Sequence, residues 1–250
     1  MDPMQGRLPG LQPVGESGWL WCDEAFAGQM ALRDDLVATR RGDVHAAMPG
    51  SEAASREVLE LVANDVLSRP GYAREGKTIL RPDGARVALE GDDPLVVAGR
   101  LVQEDLLVLE PGEAGHILVA ALTAFPASWT LSEKIGRPLA AIHEPVARYD
   151  DALAQRVQRV FDHLRDDAPV WRANVLRYNT PRLFHPRTED DRRAFDPAAP
   201  VWVRVERQTL RRLPATRAIV FTIHTWIVPE DSLSQEERRR LLEHRPKEAP

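Results

Sequence analysis

Two alternating runs near the C-terminal end, residues 201–210 and 218–228, constrain this chain more than any other feature, because only residues 211–217, with Pro214 at the turn, lie between them. Strands so close in sequence pair antiparallel, since a parallel crossover needs a dozen residues or more. In the first run Val201, Val203, Val205, Arg207 and Thr209 point to one side, and Trp202, Arg204, Glu206, Gln208 and Leu210 to the other. Polar groups on both sides of an apolar strand predict either a solvent face opposite a cavity or an edge strand with solvated charges. In the second run Ile219, Phe221, Ile223, Thr225 and Ile227 read as core, while Thr222 and His224 point the other way, into a pocket or onto the surface.

The rest of the chain supplies helices and three further strands. Residues 1–20 read as an extended lead-in. Asp23 is placed to cap a helix carrying Phe26, Met30, Val37 and Val44 at near-helical spacing, and Pro49-Gly50 breaks it. Ser51 starts a second helix with Val58, Leu61, Val62 and Val66 as its apolar stripe, stopped by Pro70-Gly71. Residues 71–93 read as a loop with a short hairpin at Asp83-Gly84. A short helix is predicted over 94–103, strands over 106–109 and 117–125, and helical pieces over 131–143 and 149–165. A strand follows over 170–178, and a charged tail helix over 234–244.

Two strands, a helical insert and three strands do not make the alternation that builds a parallel sheet. The order predicts an α+β fold: a five-stranded, mostly antiparallel sheet with helices on one face and an N-terminal helical extension, as in PAS-type folds. One domain over 21–228 is expected, followed by a charged tail over 229–250.

Several classes of function are disfavoured. A net charge of −5 does not suit a surface that replaces phosphate counterions, so no nucleic-acid partner is expected. Cys22 is the single cysteine, which on its own forms no internal disulfide, iron–sulfur cluster or structural zinc site. No apolar leader and no run of membrane-spanning length is visible, so a cytoplasmic location without membrane attachment is expected. The sequence has no G-x-G-x-x-G after a strand, no phosphate-cradling G-x-x-x-x-G-K-[ST], no H-E-x-x-H and no G-x-S-x-G. Any hydride or electron donor must therefore bind elsewhere or belong to a partner.

The most informative stretch is WTLSEKIGRPLAAIHEPV, residues 129–146. Gly136 can end one short helix and Pro138 start the next, where Leu139, Ala140 and Ile142 precede His143, and Pro145 stops the helix. An imidazole at a helix end beside an apolar surface can ligate a heme iron. It can equally be a hydrogen-bonded core or helix-terminal histidine. Glu206, Arg207 and Gln208 could supply a carboxylate, a guanidinium for a propionate and a hydrogen-bond donor. Gln103, Glu104 and Asp105 read as a capping group, and His45, His116, His163, His185 and His244 as solvated.

Taken together, the segments GLQPVGESGWLWCDEAF, LVQEDLLVLEPGEAGHILVAAL, FPASWTLSEKIGRPLAAIHEPV, PVWRANVLRY and VRVERQTLRRLPATRAIVFTIHTW give the chain its resemblance to the alpha subunit of heme-dependent oxidative N-demethylase. They run in order from about residue 8 to residue 228, and the K-x-G-x-x-L-x-x-I-H and R-V-E-R-Q-T-L-R-R-L-P strings are the most specific. The resemblance implies a PAS-like fold holding heme b. It also implies oxygen-dependent removal of a methyl group from a small secondary amine such as dimethylamine. Electrons would come from NADPH through a separate flavin and iron–sulfur reductase, which accords with the missing nucleotide and cluster motifs. It implies His143 as axial iron ligand, with Lys134, Arg137 and Arg207 binding the cofactor and Glu206, Gln208 and Thr222 catalytic. PAS folds also serve as non-catalytic heme-based gas or ligand sensors, and a module that has lost its heme is a third reading.

Overall fold

Leu106, Leu107, Val108 and Leu109 show no polar alternation, and a strand apolar on both sides has to be covered on both sides. The computed structural model describes residues 10–113, 115–143, 151–191, 194–243 and 247–248. In chain order its elements are β1 (Gln12–Pro13), α1 (Phe26–Thr39), α2 (Arg41–Val44), β2 (His45–Ala47), α3 (Glu52–Leu67), β3 (Ala73–Glu75), β4 (Thr78–Leu80), β5 (Arg86–Ala88) and α4 (Pro94–Gly99). They continue with β6 (Asp105–Gly112), β7 (Gly115–Leu122), α5 (Leu139–His143), α6 (Asp151–His163), β8 (Val170–Tyr178), β9 (Trp202–Arg212), β10 (Ile219–Pro229), α7 (Gln235–Glu243) and β11 (Lys247–Glu248).

The main sheet runs β1-β8-β9-β10-β6-β7-β2, with β11 parallel to β8 and every other pairing antiparallel. The path has seven strands where five were expected. The additions are β1 and β2, of two and three residues, too short to carry a period. β3, β4 and β5 form a separate small sheet over the stretch read as a loop, and its β4–β5 turn falls at Asp83-Gly84 as predicted.

Helices cover both faces of the main sheet, not one. On the first, here called the α3 face, Val58 and Val62 of α3 and Leu95 and Val96 of α4 pack against Leu106, Val108, Ala120, Leu122 and Val220. On the other, the α6 face, Phe161 of α6 packs against Leu107, Leu109, Leu118, Ala121, Leu210, Ile219 and Ile223. A bulge explains how Leu118 and Ala121 share a face: the register shifts between Val108, opposite Ala120, and Leu109, opposite Leu118. The extra residue, Val119, switches the side to which the strand's residues point. Among the described residues, no helix is long and apolar enough to cross a membrane.

The β9–β10 turn is held from the α3 face. Glu57 of α3 accepts hydrogen bonds from the backbone N–H groups of Ala215 (2.6 Å) and Thr216 (2.8 Å) and from the Thr216 hydroxyl (2.6 Å). Burial pushes the Glu57 carboxyl up, but the bonds from Thr216 and Ala215 outweigh it and hold the pKa below its usual value. Glu57→Ala is expected to cost about 2 kcal/mol, measured by urea unfolding at pH 7. Because the folded pKa is depressed, this contribution is present above about pH 4.5 and fades as pH falls.

Candidate functional site

Alternation along β9 sends Arg204, Glu206, Gln208 and Leu210 to the α6 face. The register sets Glu206 beside Asn174 of β8 and Thr225 of β10, and Gln208 beside Arg172 and Ile223. Glu206 is 4 % exposed and engaged at both oxygens. Arg204 Nε donates to Oε1 at 3.0 Å, and the side-chain amides of Asn174 (3.2 Å) and Gln208 (3.1 Å) donate to Oε2. Arg204, 1 % exposed, also donates to the carbonyls of Leu183 (3.2 Å) and Phe125. The carboxylate thus has its charge compensated and its orientation fixed, as a buried ion requires.

Phe221 and Gln208 lie on the inner strands β10 and β9, yet both are only half-buried, although Leu107, Leu210 and Ile223 around them are buried. The described residues therefore leave a partly open apolar floor, with a polar row of Arg172, Asn174, Glu206 and Gln208 along one side. Arg172 is half-buried, and its Nε is buried without a hydrogen-bond partner. Burial lowers the Arg172 pKa, with the Glu206 charge acting against the shift.

The other side of the floor is bounded by α5. Gly136, at φ +75°, turns the chain where an L side chain would be strained. Gly136 N–H donates to the Leu118 carbonyl at 2.8 Å, Leu118 N–H donates to the Arg137 carbonyl at 3.2 Å, and Pro138 bridges to Ile117. These bonds seat α5 on β7, where Leu139 and Ile142 pack into the α6-face cluster. The His143 side chain, like residues 144–150, lies outside the described residues. Lys134, 7 % exposed, is committed to the Ile142 carbonyl (3.1 Å) and to Glu189 Oε1 (2.8 Å), so it holds the end of α5 in place. Arg137 donates to the Glu133 carbonyl at 3.3 Å and stands 3.6 Å from Glu189.

The structure brings Glu206 and Gln208 together and sets Arg207 and Thr222 apart from them, on the α3 face. Arg207 donates to the carbonyls of Gly18 (2.7 Å) and Trp19 (3.2 Å) and lies between the rings of Trp21 (4.6 Å) and Trp171 (5.3 Å). Thr222 sits opposite Thr209, and both hydroxyls are buried without partners.

Beside Arg207 is a cluster that sequence reasoning missed. His224 is fully buried, with Nδ1 3.0 Å from Glu104 Oε1 and Nε2 3.0 Å from Asp23 Oδ2. Trp226 Nε1 donates to Asp23 at 2.6 Å, Gln103 Nε2 donates to Asp23 at 2.7 Å, and Trp21 N–H donates to Glu104 at 2.7 Å. Burial alone would lower the His224 pKa, but Glu104 and Asp23 carry it up to about 9. Asp105 next door pairs with the fully buried Arg33 at 3.0 Å and accepts from Thr123, Ala124 and Phe125. The three residues read as a cap are a buried polar hub. The available signal was three polar residues placed directly against an unbroken apolar strand.

His116 is also buried rather than solvated: it packs on Phe161 (5.1 Å between ring centres) with Nδ1 3.0 Å from Gln158 Nε2. A cleft of about 300 Å³ opens beside Leu131, lined by Arg40, Asp43, Arg187 and Asp191. Glu206, Gln208 and Arg172 do not line it, and its mixed surface charges lack the apolar floor described above. A family model described as haem-dependent oxidative N-demethylase, alpha subunit-like, matches residues 10–246.

Proposed function

The chain belongs to the haem-dependent oxidative N-demethylase alpha subunit-like family, and from that premise we propose that it binds heme b on the α6 face of a PAS-like sheet and uses it, with O2, to demethylate a small secondary amine such as dimethylamine. The observation that carries this reading is the half-open floor around Phe221 and Gln208, at the centre of a sheet whose neighbouring side chains are buried. A flat apolar ring system fits such a floor, with a polar row along one side for its substituents and for a substrate. His143, next in the chain to Ile142, is the iron ligand in this reading.

Bound heme would supply oxygen activation and electron transfer. The overall change balances as amine, O2, NADPH and a proton giving demethylated amine, formaldehyde, water and NADP+. The family description names an alpha subunit, which supports a separate flavin and iron–sulfur reductase as electron source. Glu206, oriented by Arg204, is the group that holds the substrate ammonium or takes its proton, and Gln208 fixes the polar end of the substrate beside it. Arg207 and Thr222, on the opposite face, are left out of the site in this reading.

Titrating apo protein with heme should give a Soret band that saturates near one equivalent, and His143→Ala should weaken heme binding at least about tenfold and change the band. Protein that stays colourless after reconstitution removes the reading. With NADPH and a reductase, dimethylamine should yield formaldehyde. Reversible O2 or CO binding without formaldehyde from any methylamine would make the chain a sensor instead.

A further inference from the structure

We propose that Arg172 is the guanidinium that binds a carboxylate of the heme, anchoring that edge of the cofactor to β8. The inference rests on the heme reading above and concerns the same floor.

Among the described residues, the charged groups Glu206, Lys134 and Arg212 around this floor have identifiable partners, and Arg172 does not. Glu206, the carboxylate nearest Arg172 in the register, is already satisfied at Oε1 by Arg204 and at Oε2 by Asn174 and Gln208. Lys134 is paired with Glu189. Arg212 donates to the carbonyls of Leu164 (2.6 Å), Phe161 and Arg217 (2.9 Å). Arg172 alone among these cations has a buried N–H without a partner among the described residues. An unmatched cation at a half-buried position is costly, and an anion delivered by a ligand removes that cost. The guanidinium's planar fork is the side chain best suited to a carboxylate, which it can grip with two parallel hydrogen bonds.

Placement supports the same ligand. Arg172 lies opposite Gln208, so it borders the floor formed by Phe221, Leu107 and Ile223. β8 is four strand spacings from β7, about 19 Å at the usual interval, and α5 sits on β7. An occupant spanning this distance would be apolar over β10 and β6 and anionic over β8. Heme, with its two propionates on one edge, has that distribution. Arg207, the other guanidinium considered for this task, is held on the opposite face, where it donates to the Gly18 and Trp19 carbonyls.

The test compares heme with its dimethyl ester, which keeps the ring and loses the charge. Soret titrations of the wild-type protein should show free-acid heme binding about tenfold to a hundredfold tighter than the ester. Arg172→Gln should reduce that preference to within about threefold, and Arg172→Lys should keep part of it. Equal wild-type affinity for the two forms overturns the proposal, as does a full preference retained in Arg172→Gln. Wild-type protein that binds neither form overturns the heme reading itself and this inference with it. The wild-type comparison stands even if a variant fails to fold.

Discussion

Replacing His224 with alanine is expected to destabilise the protein by about 3–5 kcal/mol, the cost of removing one partner from a buried ionic group. The ring is fully buried, and it separates two carboxylates that would otherwise face each other, supported by neutral donors from Gln103, Trp226 and the Trp21 and Ala25 amides. Arg207, cross-strand neighbour of His224, remains as the other cation of the cluster. The pH dependence carries a definite sign. The folded pKa of His224 is raised to about 9 from 6.5. Its stabilisation is therefore complete below about pH 6.5 and lost as pH rises through about 9. Asp23 behaves oppositely. Burial pushes its carboxyl up, but His224 and Gln103 outweigh that and hold it far below the usual range. Its contribution is present above about pH 4 and fades in acid. Urea midpoints for the wild-type protein should fall between pH 6.5 and 9 and stay nearly level for His224→Gln over the same interval. A wild-type midpoint flat across that interval would show that the imidazole is not held charged.

The second large effect concerns turnover. Glu206→Gln keeps the side chain's length, lets Arg204 retain an oxygen acceptor, and allows the amides of Asn174 and Gln208 to rotate to suit it. The fold and heme affinity are expected to survive, while kcat/KM for the amine falls about 10²–10⁴-fold. Formaldehyde release at several amine concentrations, read beside the Soret titration, checks this. A variant within threefold of wild type in turnover would place the essential carboxylate elsewhere. Glu206→Ala makes a poorer test, because it strands the Arg204 guanidinium in the interior and confounds stability with chemistry.

Periodicity carried much of this architecture, and its failures have physical reasons. β8, β9 and β10 are long enough for alternation to register, and α3 and α6 show apolar stripes at helical spacing. β1 and β2 exist only because β8 and β7 offer them an edge, and no local pattern announces a strand of two or three residues. The second covered face was written in Leu106 to Leu109, whose unbroken apolar character fits burial on both sides. Gln103, Glu104 and Asp105 were misread because their partners lie far along the chain: Asp23 is 80 residues from Gln103, and His224 is 120 residues from Glu104. The alternation on β9 correctly separated Glu206 and Gln208 from Arg207, yet it gave no means of singling out Arg172. In a chain whose cations are mostly arginine, an unmatched guanidinium beside the floor becomes visible only once its neighbours' partners are known.

The link from Asp23 to His224 and Trp226 closes a loop of about 200 residues. On the ribosome, the segment around Trp21 and Asp23 emerges early and meets Gln103 and Glu104 midway through synthesis, but it lacks His224 and Trp226 until the last long strand, β10, has been made. Completion of this cluster therefore waits until β10 has left the exit tunnel, and closing so long a loop makes it slow. Until then Trp19, Trp21 and the strip of sheet they later cover stay accessible to chaperones. Nascent chains stalled before residue 224 should be far more protease-sensitive near Trp21 than chains stalled after the whole sequence has cleared the exit tunnel.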